Sequence, residues 1–331
     1  MGVFRTPEEN FDDLPGYPFE SHFVEVASSP TAQAPPLRLH YVDEGDPDAH
    51  PVLMLHGEPT WSFSYRKMIS GLVASGHRAI APDHIGFGKS DKPTVRTSYS
   101  YASHIEWIRQ LVVALDLRNI TLFGQDWGGA IGLGVVAEES DRFARVIASN
   151  TVLHTASADL KGRLEWSNYG IGKDDVCLAE SLLDWILFSQ RSEEMEASWS
   201  MNGALVKPLT NDVAAAYDAP FPCEEAKAGM RQFPVLIPVT RNDPGAGINR
   251  ATWEFLTTWQ RPFLTLYSGS DPSTRGWEKI FQEMVPGAVG QPHSVLQGVG
   301  HFIQEEAGED LACRVDEWIK STPAQPNEAS G

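Results

Sequence analysis

Gly124-Gln125-Asp126-Trp127-Gly128-Gly129 lies between two apolar runs, Asn119-Ile120-Thr121-Leu122-Phe123 before it and Ala130-Ile131-Gly132-Leu133-Gly134-Val135-Val136 after it. The first run reads as a strand and the second as a helix. The glycines allow a sharp, strained turn between them, and such a turn leaves its middle side chain exposed at the sheet's edge. That middle residue is Asp126, where a serine nucleophile is the usual choice. A carboxylate is already ionised at neutral pH and attacks without a base. This suits displacement at a saturated carbon, with an ester left on the protein, and does not suit acyl transfer.

Outward from the turn, short apolar strands alternate with helical patterns. Leu37–Val42 alternates as a strand should and is turned by Asp43-Glu44-Gly45-Asp46-Pro47. Pro51–His56, Arg78–Pro82, 119–123 and Arg145–Ser149 are runs suited to strands buried on both faces. Between 101 and 117 the period is helical, with Ile105, Ile108, Leu111, Val112 and Leu115 on one face. Ser103 and Glu106 have the spacing of a capping box. Strands resume at Pro262–Tyr267 and Ser294–Leu296, and a helix at about 307–320 closes the fold. Alternation of this kind predicts an α/β fold with a mostly parallel central sheet flanked by helices. The alternation stops after Asn150. Amphipathic segments such as Leu178–Phe188 and Val213–Tyr217 follow, without strand–helix pairs. The expected organisation is a main domain over 1–153 and 241–320, a helical cap over 154–240 inserted after the sixth strand, and a disordered tail over 321–331. Residues 1–20 are expected to wrap the surface.

A chain of 331 residues with 42% hydrophobic content is large enough for one sizeable core. No apolar run approaches the roughly 20 residues that span a bilayer, and the polar, acidic first residues argue against a signal peptide. Cys177, Cys223 and Cys313 are scattered and odd in number, and read as free, mostly buried thiols of a reducing cytoplasm. The net charge of −18 argues against nucleic acid and anionic membranes as partners. No metal-ligand spacing appears among the ten histidines, and no cofactor is called for. Gly86-Phe87-Gly88-Lys89-Ser90 ends like a phosphate loop, but Asp83 stands where that loop needs glycine, so a turn is expected.

An Asp nucleophile that forms an ester needs a second half-reaction. In the order nucleophile, acid, histidine, the candidates are Asp126, Asp271 and His301. Asp271 follows strand 262–267 in Ser268-Gly269-Ser270-Asp271, and His301 follows strand 294–296 in Gly298-Val299-Gly300-His301. Both stand past the carboxyl end of a strand, where ligands gather in parallel sheets. His301 would take a proton from water, and Asp271 would orient the imidazole. The oxyanion hole would use the N–H of Trp127 and, from the loop His56-Gly57-Glu58-Pro59, the N–H of Glu58. An Asp nucleophile suits either epoxide opening, where the oxygen needs acid donors such as cap tyrosines, or carbon–halogen displacement, where the departing halide wants N–H donors in an apolar pocket; indole Nε1–H is a donor only. Trp127 is one candidate. Trp185 in the cap is the second, with Trp166 and Trp199 in competition.

Taken together these motifs resemble the haloalkane dehalogenases of the α/β-hydrolase superfamily, in particular the subfamily with two halide-binding tryptophans. The resemblance rests on Leu55-His56-Gly57-Glu58-Pro59-Thr60-Trp61, Tyr65-Arg66-Lys67-Met68-Ile69, Gly86-Phe87-Gly88-Lys89-Ser90-Asp91-Lys92-Pro93, Gln125-Asp126-Trp127-Gly128-Gly129 and Ala216-Tyr217-Asp218-Ala219-Pro220-Phe221-Pro222. It covers nearly the whole chain. It implies Asp126 as nucleophile, His301 as base, Asp271 as triad acid, and Trp127 with Trp185 as halide ligands. Trp185 is selected by its distance before Ala216–Pro222. Glu58 would position the hydrolytic water. The implied partners are a small apolar halogenated substrate, water and the halide product. A related subfamily carries Asn after His-Gly and Glu after the sixth strand; Glu58 and Ser149-Asn150-Thr151 stand there instead. Epoxide hydrolases share His-Gly-x-Pro and Asp-Trp-Gly-Gly, and Tyr169 and Tyr217 are the candidate donors for opening an epoxide. Glu58 disfavours that alternative, because an aromatic residue is usual at its position there. A non-catalytic binding protein on the same fold is disfavoured by the complete triad.

Overall fold

The computed structural model describes residues 2–28, 35–156 and 180–322. In chain order its elements are β1 (Val3–Phe4), β2 (His22–Val26), β3 (Leu37–Glu44), β4 (Pro51–Leu55), α1 (Arg66–Ala74), β5 (Arg78–Pro82), β6 (Lys92–Pro93), α2 (Tyr101–Ala114), β7 (Ile120–Gln125), α3 (Trp127–Glu138), β8 (Phe143–Ser149), α4 (Glu180–Arg191), α5 (Ala197–Asn202), α6 (Asn211–Asp218), α7 (Ala228–Gln232), α8 (Pro244–Leu256), β9 (Phe263–Ser268), α9 (Trp277–Met284), β10 (Ser294–Leu296) and α10 (Ile303–Ser321).

Eight strands form one sheet in the order β10-β9-β8-β7-β4-β5-β3-β2. The pairs from β10 to β5 are parallel, and β3 and β2 add antiparallel pairs at one edge. β4, β7 and β9 are buried at every residue, which is why they read as continuous apolar runs. Helix α1 packs on α10, while α2, α3 and α8 pack on one another. From Gly128 to Val136, α3 is buried all round, consistent with its apolar composition on every face. The expected mostly parallel sheet flanked by helices is the observed one.

Several local readings need correction. Strand β2 has no counterpart among the sequence expectations. α2 is capped by Ser100, whose Oγ accepts from the Ser103 N–H at 3.1 Å, and Glu106 instead binds Arg109 at 2.7 Å. The helix begins earlier than the Ser103–Glu106 spacing suggests because Tyr101 and His104 are already buried in its first turn. α10 starts at Ile303, and non-helical angles at Ala307 interrupt it, so its sequence period restarts only after that kink. Cys223 and Cys313 are free but exposed, not buried, while Cys177 lies outside the described residues. The N-terminal segment does lie across other elements: Thr6 Oγ1 donates to the Pro220 carbonyl at 2.7 Å and Asn10 Nδ2 to the Ala219 carbonyl at 3.1 Å. The glycine-rich stretch 86–90 is a turn around the buried Asp83 carboxylate, which accepts the N–H groups of Ser62 and Lys89.

Among the described residues, no helix is long and apolar enough to cross a membrane. The chain between β8 and β9 carries α4 to α8, and of these α8 packs on α2 and α3.

Candidate active site

β7 runs two residues past the expected Phe123 and ends at Gln125, so Asp126 stands directly between strand and helix. Its backbone is left-handed, with φ 52° and ψ −128°, a strained conformation for a residue with a Cβ. Tertiary contacts hold that conformation. The Asp126 N–H donates to the Asn150 carbonyl at 3.1 Å, and its own carbonyl accepts Thr151 Oγ1 at 2.6 Å and the Gly129 N–H at 3.0 Å. The carboxylate therefore projects from a fixed backbone. Its two oxygens meet different partners. Oδ2 accepts the Glu58 N–H at 3.0 Å, and Oδ1 lies 3.3 Å from His301 Nε2. Gly57 makes this approach possible, since a Cβ there would sit 2.3 Å from Asp126 Oδ2.

His301 is buried, and its Nδ1 lies 2.9 Å from Asp271 Oδ2. Asp271 also accepts the Ser273 N–H at 2.8 Å and the Thr274 hydroxyl at 2.5 Å. Burial alone would raise the Asp271 carboxyl; His301 and these hydrogen bonds hold it below its ordinary range. Burial likewise works to lower His301, but Asp271 on one side and Asp126 on the other outweigh it and push the imidazole up to about 10. Both carboxylates favour the charged form of the ring. The three residues predicted from chain order thus come together, with His301 hydrogen-bonded to Asp271 and its other ring nitrogen 3.3 Å from Asp126 Oδ1. The residue types that hold it were not singled out from the sequence. Asn150 Nδ2 donates to the His301 carbonyl at 2.8 Å and to Ser268 Oγ at 2.6 Å, Gln125 Nε2 donates to the His301 carbonyl at 3.1 Å, and Gln304 Nε2 donates to Gln125 Oε1 at 3.1 Å. The sequence contained one cue. Polar Gln125 ends β7 and polar Asn150 follows directly on β8, two strands that are otherwise mostly apolar.

Glu58 is buried behind Asp126, across a cis Glu58–Pro59 bond, and its Oε1 meets no hydrogen-bond partner among the described residues. Burial pushes its carboxyl well above the carboxylate range, and the Asp126 charge adds to this against an opposing effect of His301. The neutral acid is favoured, and it can donate as well as accept. The loop that carries Glu58 is locked from behind. His56 Nδ1–H donates to the Gly57 carbonyl at 2.9 Å, the His84 N–H donates to His56 Nε2 at 3.0 Å, and His84 Nε2–H donates to the His56 carbonyl at 2.9 Å. Trp127 opens α3 directly after Asp126, so its N–H is one of the helix's first-turn donors without an intrahelical acceptor.

The Trp127 indole is half-buried, edge-on to Tyr101 and to Phe233, each with centroids 5.4 Å away. Trp61, Trp107, Trp253 and Trp318 donate their Nε1–H to protein oxygens at 2.8 to 3.1 Å. Among the described residues, no such acceptor is seen for Trp127, Trp185, Trp199, Trp259 or Trp277. Trp185 lies half-buried on α4 and stacks on Phe188 at 5.7 Å, and α4 packs on α7 and on the turn 233–236 that carries Phe233. Trp199, by contrast, is 61% exposed. Trp166 and Tyr169 lie outside the described residues. Tyr217 is buried, and its hydroxyl donates to Glu305 Oε2 at 2.5 Å, where Glu305 is also held by Arg66. That phenol is committed to a buried ion pair and is not free to protonate an epoxide.

Comparison with known proteins gives consistent results. The family described as alpha/beta hydrolase fold matches residues 50–223. A haloalkane dehalogenase of Psychrobacter cryohalolentis is 46% identical over 98% of this chain and 100% of its own length. One from Mycobacterium marinum is 42% identical over 96% of this chain and 100% of its own length. Among solved structures, the haloalkane dehalogenase DpaA of Paraglaciecola agarilytica, described as tetrameric, aligns with a TM-score of 0.79 and 32% identity over 95% of this chain and 97% of that one.

Proposed function

The chain belongs to the haloalkane dehalogenases of the α/β-hydrolase fold, and from that premise we propose how its residues divide the hydrolysis of a carbon–halogen bond. The enzyme is a hydrolase acting on carbon–halide bonds; a haloalkane and water yield an alcohol, a halide ion and a proton. Asp126 is the nucleophile. Oδ1, the oxygen not held by the Glu58 N–H, attacks the carbon that bears the halogen. A carbon–oxygen bond forms, the carbon–halogen bond breaks, and the halide departs with its electron pair. The indole N–H groups of Trp127 and Trp185 receive it. The absence of an acceptor for either indole among the described residues is compatible with this role, and the exposure of Trp199 makes that residue the weaker candidate.

The second step needs a neutral base. Alkylation removes the Asp126 charge, and with it one of the two influences that raise His301 to about 10. Burial then counts for more, and the ring can release its proton and act as base. His301 Nε2 takes a proton from water, the hydroxide adds to Cγ of the ester, and the developing oxyanion is met by the N–H groups of Glu58 and Trp127. Collapse breaks the Cγ–O bond to the alkyl group. The alkoxide takes the hydroxyl proton now on Cγ and leaves as alcohol, the proton taken from water restores the charged ring, and the proton the ring gave up beforehand is the one released with the halide. Asp271 orients the ring throughout. Buried Glu58, favoured as the neutral acid, holds the attacking water. Residues 154–240 act as the cap over this site, on a main domain formed by 1–153 and 241–320.

The split environment of the Asp126 carboxylate carries this reading, with Oδ1 facing the imidazole and Oδ2 against the Glu58 N–H. Incubation with 1,2-dibromoethane and 1-bromobutane tests the reaction, and equal amounts of bromide and acid are expected. His301→Ala tests the roles. It should accumulate an alkyl ester on Asp126, seen as a mass increase localised to that residue. An unmodified His301→Ala variant that still releases bromide would overturn the assignment of the base.

A further inference from the structure

His301 is held on two sides, and one side belongs to the segment between α5 and α6. On the sheet side, Asn150 and Gln125 donate to its carbonyl. On the other side, the His301 N–H donates to the Ala204 carbonyl at 2.8 Å. The Glu306 carboxylate reinforces that contact. It accepts the Gly300 N–H at 2.7 Å, the Lys207 N–H at 2.9 Å and the Val206 N–H at 3.1 Å. One side chain thus ties the residue before the histidine to the loop 204–207. The fit is close, because a Cβ at Gly300 would fall 2.3 Å from the Ala204 carbonyl oxygen and 3.0 Å from Glu306 Oε2. Glu306 sits just before the non-helical Ala307, while its neighbour Glu305 is bound to Arg66, Lys67 and Tyr217. The loop itself reaches solvent, with Val206 48% exposed.

We propose that Glu306 is a positioning residue for the base: it couples the loop 204–207 to the backbone of His301 and so sets where the imidazole meets water. The inference rests on His301 being the base of the hydrolytic step. A charged acceptor that takes three backbone N–H groups is a strong local constraint, since hydrogen bonds to ionised groups are shorter and about twice as strong as neutral ones. Alkylation of Asp126 does not use the base. Removing the clamp should therefore slow hydrolysis of the ester and spare its formation. When the loop moves, the base moves with it, so the loop's position gates the second half-reaction.

The test is rapid quenching with 1,2-dibromoethane, following alkylated protein by mass for the wild type, Glu306→Ala, Glu306→Gln and His301→Ala. For Glu306→Ala, ester formation should stay within about twofold and ester decay should slow roughly tenfold, the scale expected when a catalytic group is displaced by a fraction of an ångström. Glu306→Gln keeps an acceptor oxygen without charge and should slow decay by about threefold. If Glu306→Ala does not fold, the Gln variant decides. Unchanged decay in a folded variant, or formation and decay falling together, overturns the proposal. His301→Ala separates the two levels. If it traps ester while the Glu306 variants decay at the wild-type rate, only the positioning role fails; if it does not trap, the base itself is wrongly assigned.

Discussion

Gly57→Ala is a sharp test of the site because it adds one methyl group between two fixed pieces of backbone. The new Cβ would lie 2.3 Å from Asp126 Cβ, 2.3 Å from Oδ2 and 2.7 Å from Cγ. Non-bonded heavy atoms are best placed at about 3.5 Å, so roughly 1 Å must open. The loop cannot supply it easily: the Gly57 carbonyl already accepts His56 Nδ1–H at 2.9 Å, the Thr60 N–H at 3.0 Å and the Thr60 hydroxyl at 2.9 Å. Nor can the Asp126 backbone, bound at both its N–H and its carbonyl. Rotation of the Asp126 side chain can carry Cγ and Oδ2 clear, away from the Glu58 N–H, but its Cβ cannot turn away, so the remaining overlap must be taken up by small backbone shifts at 57 and 126. Losing a hydrogen bond to a charged group costs about 1.5–3 kcal/mol. Misplacing an attacking atom by about 1 Å costs roughly 100-fold, or about 2.7 kcal/mol. These describe one lesion and do not add. The expected result is alkylation slowed by about two orders of magnitude in a folded protein. Bromide release in single turnovers, with enzyme in excess, measures it. Gly128→Ala is the contrast, since its Cβ would meet the Leu55 carbonyl at 2.0 Å, backbone that has nowhere to go, and folding itself should suffer. A native-like Gly57→Ala protein that alkylates within about threefold of wild type would refute the geometric argument, because about 2 kcal/mol would then be missing.

Trp127→Phe keeps an aromatic ring between Tyr101 and Phe233 and removes the N–H; bromide should bind about tenfold more weakly by calorimetry. Trp185→Phe should behave similarly and Trp199→Phe should not, and unchanged binding in both cap-side and helix-side variants would remove the tryptophans from the halide site. A third expectation concerns acid. Burial, with a smaller electrostatic effect of the neighbouring His56, holds His104 down to about 3, below its unfolded value near 6.5. Its contribution to stability is complete above pH 6.5 and is lost as pH falls from there toward 3, at up to about 1.4 kcal/mol per pH unit for each proton taken up on unfolding. Both its ring nitrogens are buried without partners among the described residues, so His104→Phe should flatten the loss of urea midpoint between pH 6.5 and 4; an equally steep loss would refute the assignment. His301 acts in the opposite sense: raised to about 10, it adds stability below pH 6.5 that disappears as pH rises through 10, and His301→Ala should abolish that alkaline decline.

The sequence by itself determined the parallel core of the sheet, the strand-to-helix turn that carries Asp126, and the places of Asp271 and His301 past later strand ends. Those features are written in short stretches. A strand buried on both faces must be apolar along its length, a strained strand-to-helix turn needs small residues beside its centre, and a functional residue past a strand end can be read from that strand's boundary. The same locality explains the errors. Ser103 and Glu106 have capping spacing, but burial of Tyr101 and His104 starts α2 at Ser100. Cys223 and Cys313 resemble small core residues in composition alone and lie on the surface. Only the tertiary structure decided which polar residues serve the site. Asn150 and Gln125 grip the His301 carbonyl from more than a hundred residues away, Tyr217 turns from the site because Arg66 and Glu305 meet it, and Glu306 joins Gly300 to Val206 and Lys207. Hydrophobic periodicity states that a face is buried and not what it is buried against. A polar side chain's partner is fixed by chain crossings at large sequence separation, and no local pattern records them.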